Sequence, residues 1–156
     1  MVMGNGSPLD SDAILTSVNT IANQLDEGFR APRFRHTQHD EFTEKRGRVR
    51  EARVTVAPGI HQDGGYFDIQ WWENGDYTNH YREKGLEFRF GREASNQATD
   101  HPVLHFHPPD ELSRHEQSCI SETHPPELVT LAVLTMWWAA VTATDEQVLN
   151  TQSGLP

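Results

Sequence analysis

At 156 residues, with 35% hydrophobic content and seven Phe, four Trp and three Tyr, the chain can close one hydrophobic core and carries too many aromatics for a disordered segment. Its 23 acidic against 13 basic residues give a formal charge of −10, and a single cysteine excludes an internal disulfide. The N-terminus lacks the basic and apolar stretches of an export signal and no run of 18 uninterrupted apolar residues occurs, so a single soluble, cytoplasmic domain over residues 1–156 is expected, with no membrane partner.

Residues 1–9, rich in Gly, Asn, Ser and Pro, read as a flexible tail. Asp10 or Ser11 can cap a helix whose apolar positions Ile14, Leu15, Val18, Ile21, Ala22 and Leu25 follow helical spacing, with Gly28 as its stop. The stretch FRAPRFRHTQHDEFTEKRGR is broken by Pro32 and Gly47 and reads as a connection with one short strand around Arg33–His36. From Val49 the period becomes two. Val54 and Val56 share a face, as do Phe67, Ile69 and Trp71, so that Trp72 points the other way. Asn74-Gly75 suits a two-residue hairpin turn, and Lys84-Gly85 a second turn or bulge before Leu86, Phe88 and Phe90. Val103–His107 can add a short strand that Pro108-Pro109 must end.

The segment THPPELVTLAVLTMWWAAVTA opens with prolines at a helix start and continues with good helix formers; Leu128, Leu131, Ala132, Leu134, Thr135, Trp138 and Ala139 form a broad apolar face that needs the sheet or a partner. Residues 150–156 read as a second flexible tail. The expected fold is α+β: an antiparallel meander of about four or five strands with an N-terminal and a C-terminal helix packed on it.

Charge is unevenly spread. Residues 30–53 hold eight basic residues against four acidic, a net +4 that leaves −14 for the rest of the chain. Such an island can dock phosphate or an acidic protein surface, or be a solvated mixed-charge strand. Only Lys45 and Lys84 are lysines, and an acidic surface with so little Lys suits either salt adaptation or an ordinary acidic protein.

Nine histidines include three within HPVLHFHPP, at 101, 105 and 107. On a strand, His105 and His107 project in parallel roughly 6 to 7 Å apart, the spacing of an H-x-H metal grip that His101, His115 or Glu111 could complete. The same pair suits metal-independent acid–base chemistry with Arg89 as a cation over phosphate and Tyr81, Arg82 and Glu87 in the preceding hairpin. If the strand over 103–107 pairs beside 86–90, Glu87 and Arg89 share a face with one set of these residues. The chain has no phosphate-binding G-x-x-x-x-G-K-[ST] loop, no G-x-G-x-x-G and no G-x-S-x-G, which removes support for nucleotide hydrolysis, dinucleotide binding and serine-hydrolase chemistry.

The succession YREKGLEFRFG, a polar loop, HPVLHFHPP and a C-terminal helix resembles the TumE-type toxin family of prokaryotic toxin–antitoxin modules over roughly residues 48–142, through Tyr81, Arg82, Arg89, His101, His105, His107 and Pro108. The resemblance implies a small α+β toxin acting on RNA or translation, neutralised by an antitoxin that covers the histidines or the basic strand. It assigns acid and base to His105 and His107, beside His101 and Tyr81, and the phosphorane charge to Arg89. Arg46, Arg48, Arg50, Arg53 and Arg82 would hold RNA, and no cofactor is called for. Two readings compete: a non-catalytic module that docks a protein through its sheet edge, basic island and Trp-bearing last helix, and a His-ligated metal enzyme.

Overall fold

The alternation that begins at Val49 builds a seven-stranded antiparallel sheet in which every strand pairs with its neighbours in sequence. The computed structural model describes residues 7–36 and 40–152. Helix α1 (Ser11–Leu25) comes first, then β1 (Arg33–His36), β2 (Val49–Val56), β3 (Gly65–Trp71), β4 (Tyr77–Glu83), β5 (Leu86–Arg92), β6 (Leu104–His107) and β7 (Glu116–Gln117), and helix α2 (Pro126–Ala143) follows. The class is α+β as expected, with seven strands rather than four or five. The added β7 has only two residues, too few for periodicity to reveal.

One face of the sheet is apolar. Phe34, Val54, Phe67, Tyr81, Phe88, Phe90 and Phe106 are buried on it, together with Ile14, Val18 and Ile21 of α1 and Val129, Met136 and Trp137 of α2. The Asp10 carboxylate caps α1 by accepting from the Ala13 amide at 3.0 Å. The helices are tied to each other and to the sheet by a buried relay: the Trp71 indole donates to Ser17 Oγ at 2.9 Å, and the Thr130 hydroxyl donates to the same oxygen at 2.8 Å. Trp137 bridges down from α2, with ring centroids 5.9 Å from Phe67 and 6.1 Å from Tyr81.

Helix α2 buries a different face from the one its spacing suggests. Val129, Thr130, Ala132, Val133, Leu134, Met136, Trp137 and Ala140 point inward, whereas Leu128 and Trp138 stay 37% and 49% exposed, and Thr135 is exposed as well. A helix apolar almost all round has no unique stripe, so packing chooses the face. For the same reason α2 is long and apolar enough to cross a membrane by length and composition, although it lies here on a core.

The connections also differ in detail. Lys84-Gly85 makes the two-residue turn, with Glu83 paired to Leu86 and Gly85 at φ 83°. Asn74-Gly75 does not. Trp71 pairs with Tyr77 and leaves a five-residue connection closed by a bond from the Trp72 amide to the Asp76 carbonyl. The cause is Asp76, 1% exposed, whose carboxylate accepts from Arg92 Nη1 at 2.7 Å and from the Ala94 amide at 3.0 Å.

Of the two expected tails, residues 1–6 and 153–156 lie outside the described residues, as does His39. Leu9, in contrast, is 7% exposed and bridges to Trp72 through the bonds of its neighbours, from the Asp10 amide to the Trp71 carbonyl and from the Glu73 amide to the Pro8 carbonyl. Asn150 accepts from the Cys119 amide at 2.7 Å; composition reveals none of these contacts. Asp76→Ala is expected to cost about 3–5 kcal/mol in urea denaturation, because it leaves the largely buried Arg92 guanidinium without its counter-charge. Adding Arg92→Met to that variant should recover part of the loss.

Candidate functional site

The opposite face of the sheet is polar, and among the described residues no helix covers it. Register places the side chains there. Phe90 pairs with Phe106 on the helix side, so the flanking pairs Gly91–His105 and Arg89–His107 project to the polar side. His80 lies opposite Arg89, and Arg82 opposite Glu87. Arg89 and Glu87 thus share a face with both histidines, as the pairing of 103–107 beside 86–90 requires.

The chain after β6 returns to place His115 against this pair. Ring centroids lie 5.0 Å apart for His105 and His107, 4.3 Å for His107 and His115, and 4.1 Å for His101 and His115. Trp72, Thr78, Arg89, Glu93 and the histidines 105, 107 and 115 line a cavity of about 220 Å³, with His101 exposed at its rim. Gly91 makes room for it: a Cβ there would stand 2.7 Å from His105 Nε2 and 3.1 Å from the Tyr77 carbonyl oxygen.

Two backbone carbonyls fix the histidine tautomers. His105 Nδ1 faces the Val103 oxygen at 3.2 Å and His107 Nδ1 faces that of Leu112, so each ring carries its proton on Nδ1 and keeps Nε2 as a lone-pair acceptor. His107 Nε2 accepts from Arg89 Nη2 at 3.3 Å. Burial, then the Arg89 charge, hold His107 down to about 4, and burial above all lowers His105 and His115 too. Both strand histidines, 5% and 2% exposed, are therefore neutral bases at neutral pH.

Of the arginines on the polar face, Arg33 and Arg89 have no ion pair among the described residues, and of these two only Arg89 lines a cavity. Arg35 pairs with Glu51, Arg53 with Asp68 through two bonds of 2.8 and 2.9 Å, and Arg82 with Glu87 at 3.0 Å. Among the described residues Arg89 has no carboxylate within ion-pair distance; its one bond goes to a neutral histidine, and burial lowers its pKa. The indole N–H of Trp72, in the lining of the same cavity, is also buried without an acceptor among the described residues. The cavity thus holds a half-buried cation and a spare donor beside neutral imidazoles, with Arg92 and Glu93 also in its lining.

The remaining expected site residues are dispersed. Tyr81 lies on the helix-covered face, its ring stacked on Phe88 and its hydroxyl donating to Glu83 Oε1 at 2.7 Å, so its side chain is in the core and not among the histidines. Arg46 and Arg48 are exposed in the connection between β1 and β2, five strand spacings or roughly 24 Å from β6. Arg50 pairs with Asp40 at 3.0 Å, and the Arg53 guanidinium lies 4.3 Å from the ring centroids of Phe42 and of Tyr66. Glu111 lies beside Arg114, outside the cavity lining, and among the described residues no three His, Cys, Asp or Glu side chains converge as metal ligands. His115, Trp72 and Glu93 join the site from connections whose path no periodicity reports.

A family model described as Toxin TumE matches residues 25–143, a span that includes the whole sheet and both His-bearing segments. No curated protein and no solved structure matches the chain.

His107 is neutral in the fold at pH values where it would take a proton in the unfolded chain. Stability should be full above about pH 6.5, the ordinary histidine value, and should fall by on the order of 2–3 kcal/mol as pH drops to about 4. Urea denaturation between pH 4.5 and 7.5 measures this, and His107→Gln should flatten the slope. Gly91→Ala should displace the His105 ring and cost roughly 1–3 kcal/mol, read as a shift of the His105 resonances with a lowered urea midpoint.

Proposed function

This chain belongs to the TumE toxin family, toxins of toxin–antitoxin modules, and on that premise we propose that it is a metal-independent, RNA-cleaving toxin whose reacting phosphate sits in the cavity of Arg89, His105 and His107. The observation that carries the reading is Arg89, the guanidinium of the polar face that lines a cavity with no carboxylate within ion-pair distance of it among the described residues, Glu93 standing elsewhere in the same lining.

The chemistry follows from the tautomers. His105 Nε2 takes the proton of a ribose 2′-hydroxyl as that oxygen attacks phosphorus. The O2′–P bond forms and the P–O5′ bond breaks, leaving a 2′,3′-cyclic phosphate. Arg89, with the spare N–H of Trp72, donates to the non-bridging oxygens, where charge develops. His107 is a positioning residue: held by the Leu112 carbonyl, it aims the Arg89 guanidinium. His101 at the rim delivers a proton to the leaving 5′ oxygen. The division of labour is therefore base for His105 and orientation for His107.

The basic residues divide likewise. Arg50 and Arg53 are compensated by Asp40 and Asp68, whereas Arg46 and Arg48 have no ion pair among the described residues. Arg46 and Arg48 attract the RNA backbone at the far sheet edge and stay clear of the reacting phosphate. The antitoxin is the protein partner that the family implies, and the acidic, Lys-poor surface is that of a salt-adapted cytoplasmic protein.

Inducible expression of the wild type should arrest growth with loss of RNA integrity. His105→Ala and Arg89→Ala should each lower cleavage by roughly 10²–10³-fold while circular dichroism stays native. Arg46→Ala with Arg48→Ala should leave the cleavage rate at saturating RNA unchanged and reduce the salt dependence of binding by about two charges. A folded wild type that leaves growth and RNA intact would favour the non-catalytic interaction module.

A further inference from the structure

We infer that a second cleft on the same face is a nucleotide subsite, holding a base flanking the scissile phosphate and selecting bases that carry an exocyclic amino group. The inference rests on the ribonuclease reading of the neighbouring cavity. The cleft measures about 720 Å³ and is lined by Tyr66, Leu86, Pro109 and Leu112 as apolar wall and by Arg82, Glu83, Lys84 and Glu87 as charged groups, the Glu83 carboxylate being taken up by the Ile60 and His61 amides and the Tyr81 hydroxyl. Apolar walls with a few convergent polar groups are what a nucleobase and its phosphate require.

Two connections join the cleft to the reacting centre. Glu87 and Arg89 are two residues apart on one face of β5, roughly 7 Å, and Glu87 Oε2 binds His80 Nε2 at 3.0 Å while His80 stands opposite Arg89. Leu112, in the cleft wall, supplies the carbonyl that holds His107. A strand of RNA with its phosphate at Arg89 has the cleft beside it.

The selectivity comes from one oxygen. Both partners of Glu87, His80 Nε2 and Arg82 Nε, bind Oε2 at 3.0 Å. Oε1 has no partner among the described residues, and the side chain is 37% exposed in the cleft lining. A free carboxylate oxygen accepts from the amino group of guanine, adenine or cytosine. Uracil has no amino group, and its single imide N–H lies between two carbonyl oxygens that a carboxylate repels, so it is disfavoured. Lys84, exposed at the cleft, neutralises the phosphate of the bound nucleotide.

The test titrates the four ribonucleoside 5′-monophosphates into the folded protein, followed by NMR, with cleavage of a mixed-sequence RNA read in parallel. GMP, AMP and CMP should shift the Tyr66 and Leu112 resonances and bind about tenfold more tightly than UMP. Glu87→Gln, whose amide can donate to a carbonyl, should erase that preference, and Lys84→Ala should weaken all four. His105→Ala should lose cleavage and keep nucleotide binding, which separates this inference from the ribonuclease reading. Equal binding of all four nucleotides, no binding, or a preference untouched by Glu87→Gln would overturn the subsite even if RNA is cut.

Discussion

Everything at the polar face depends on the register that the buried aromatic pairs impose on β4, β5 and β6. Phe90 opposite Phe106 and Phe88 opposite Tyr81 sit under the helices with their side chains removed from water. A slip of one residue would turn these rings to solvent and drive His105, His107 and Arg89 into the core. The hydrophobic effect on one side of the sheet thus sets the position of every titratable group on the other. Trp137 and the Ser17–Trp71–Thr130 relay add a fixed distance between sheet and helices.

Given that register, charge compensation across the polar face is uneven. Cross-strand carboxylates neutralise Arg35, Arg53 and Arg82, and a buried one neutralises Arg92 at the strand end. Arg89 has neutral histidine instead. A guanidinium in half-buried surroundings without a directly paired carboxylate is costly, and the fold tolerates it where Glu87 and Glu93 are near and a cavity opens to solvent. Burial that lowers the histidines keeps them from adding positive charge to that cavity, whose lining also holds Arg92 and Glu93. The same burial makes His105 a free base at neutral pH. The low histidine pKa values and the pH dependence of stability therefore draw on one cause, the desolvation of imidazoles against the sheet.

Much of this was legible in the chain itself. Period-two alternation from Val49 to Phe90 marks the central strands, and the Arg33–His36 strand, the α1 cap at Asp10 and the Lys84-Gly85 turn all stand where local chemistry puts them. His105 and His107 on one face follow from the pleat, and their grouping with Arg89 from the pairing of β5 with β6. Local pattern misplaced the exposed face of α2 and the connection at Asn74-Gly75. In the first case the helix is apolar all round; in the second a buried carboxylate, Asp76, outweighs a good turn dipeptide.

The sequence by itself determined the α+β class and the alternation, because these are written in spacing that each segment carries alone, and it carries the motifs of the family resemblance that the family model bears out. Tertiary structure decided which candidates meet. It sent Tyr81 to the core, left Arg46 and Arg48 at the far edge, and brought His115 and Trp72 to Arg89. The reason is physical: a strand's pattern fixes its face, whereas its neighbours depend on long-range pairing and on loops that no local period encodes.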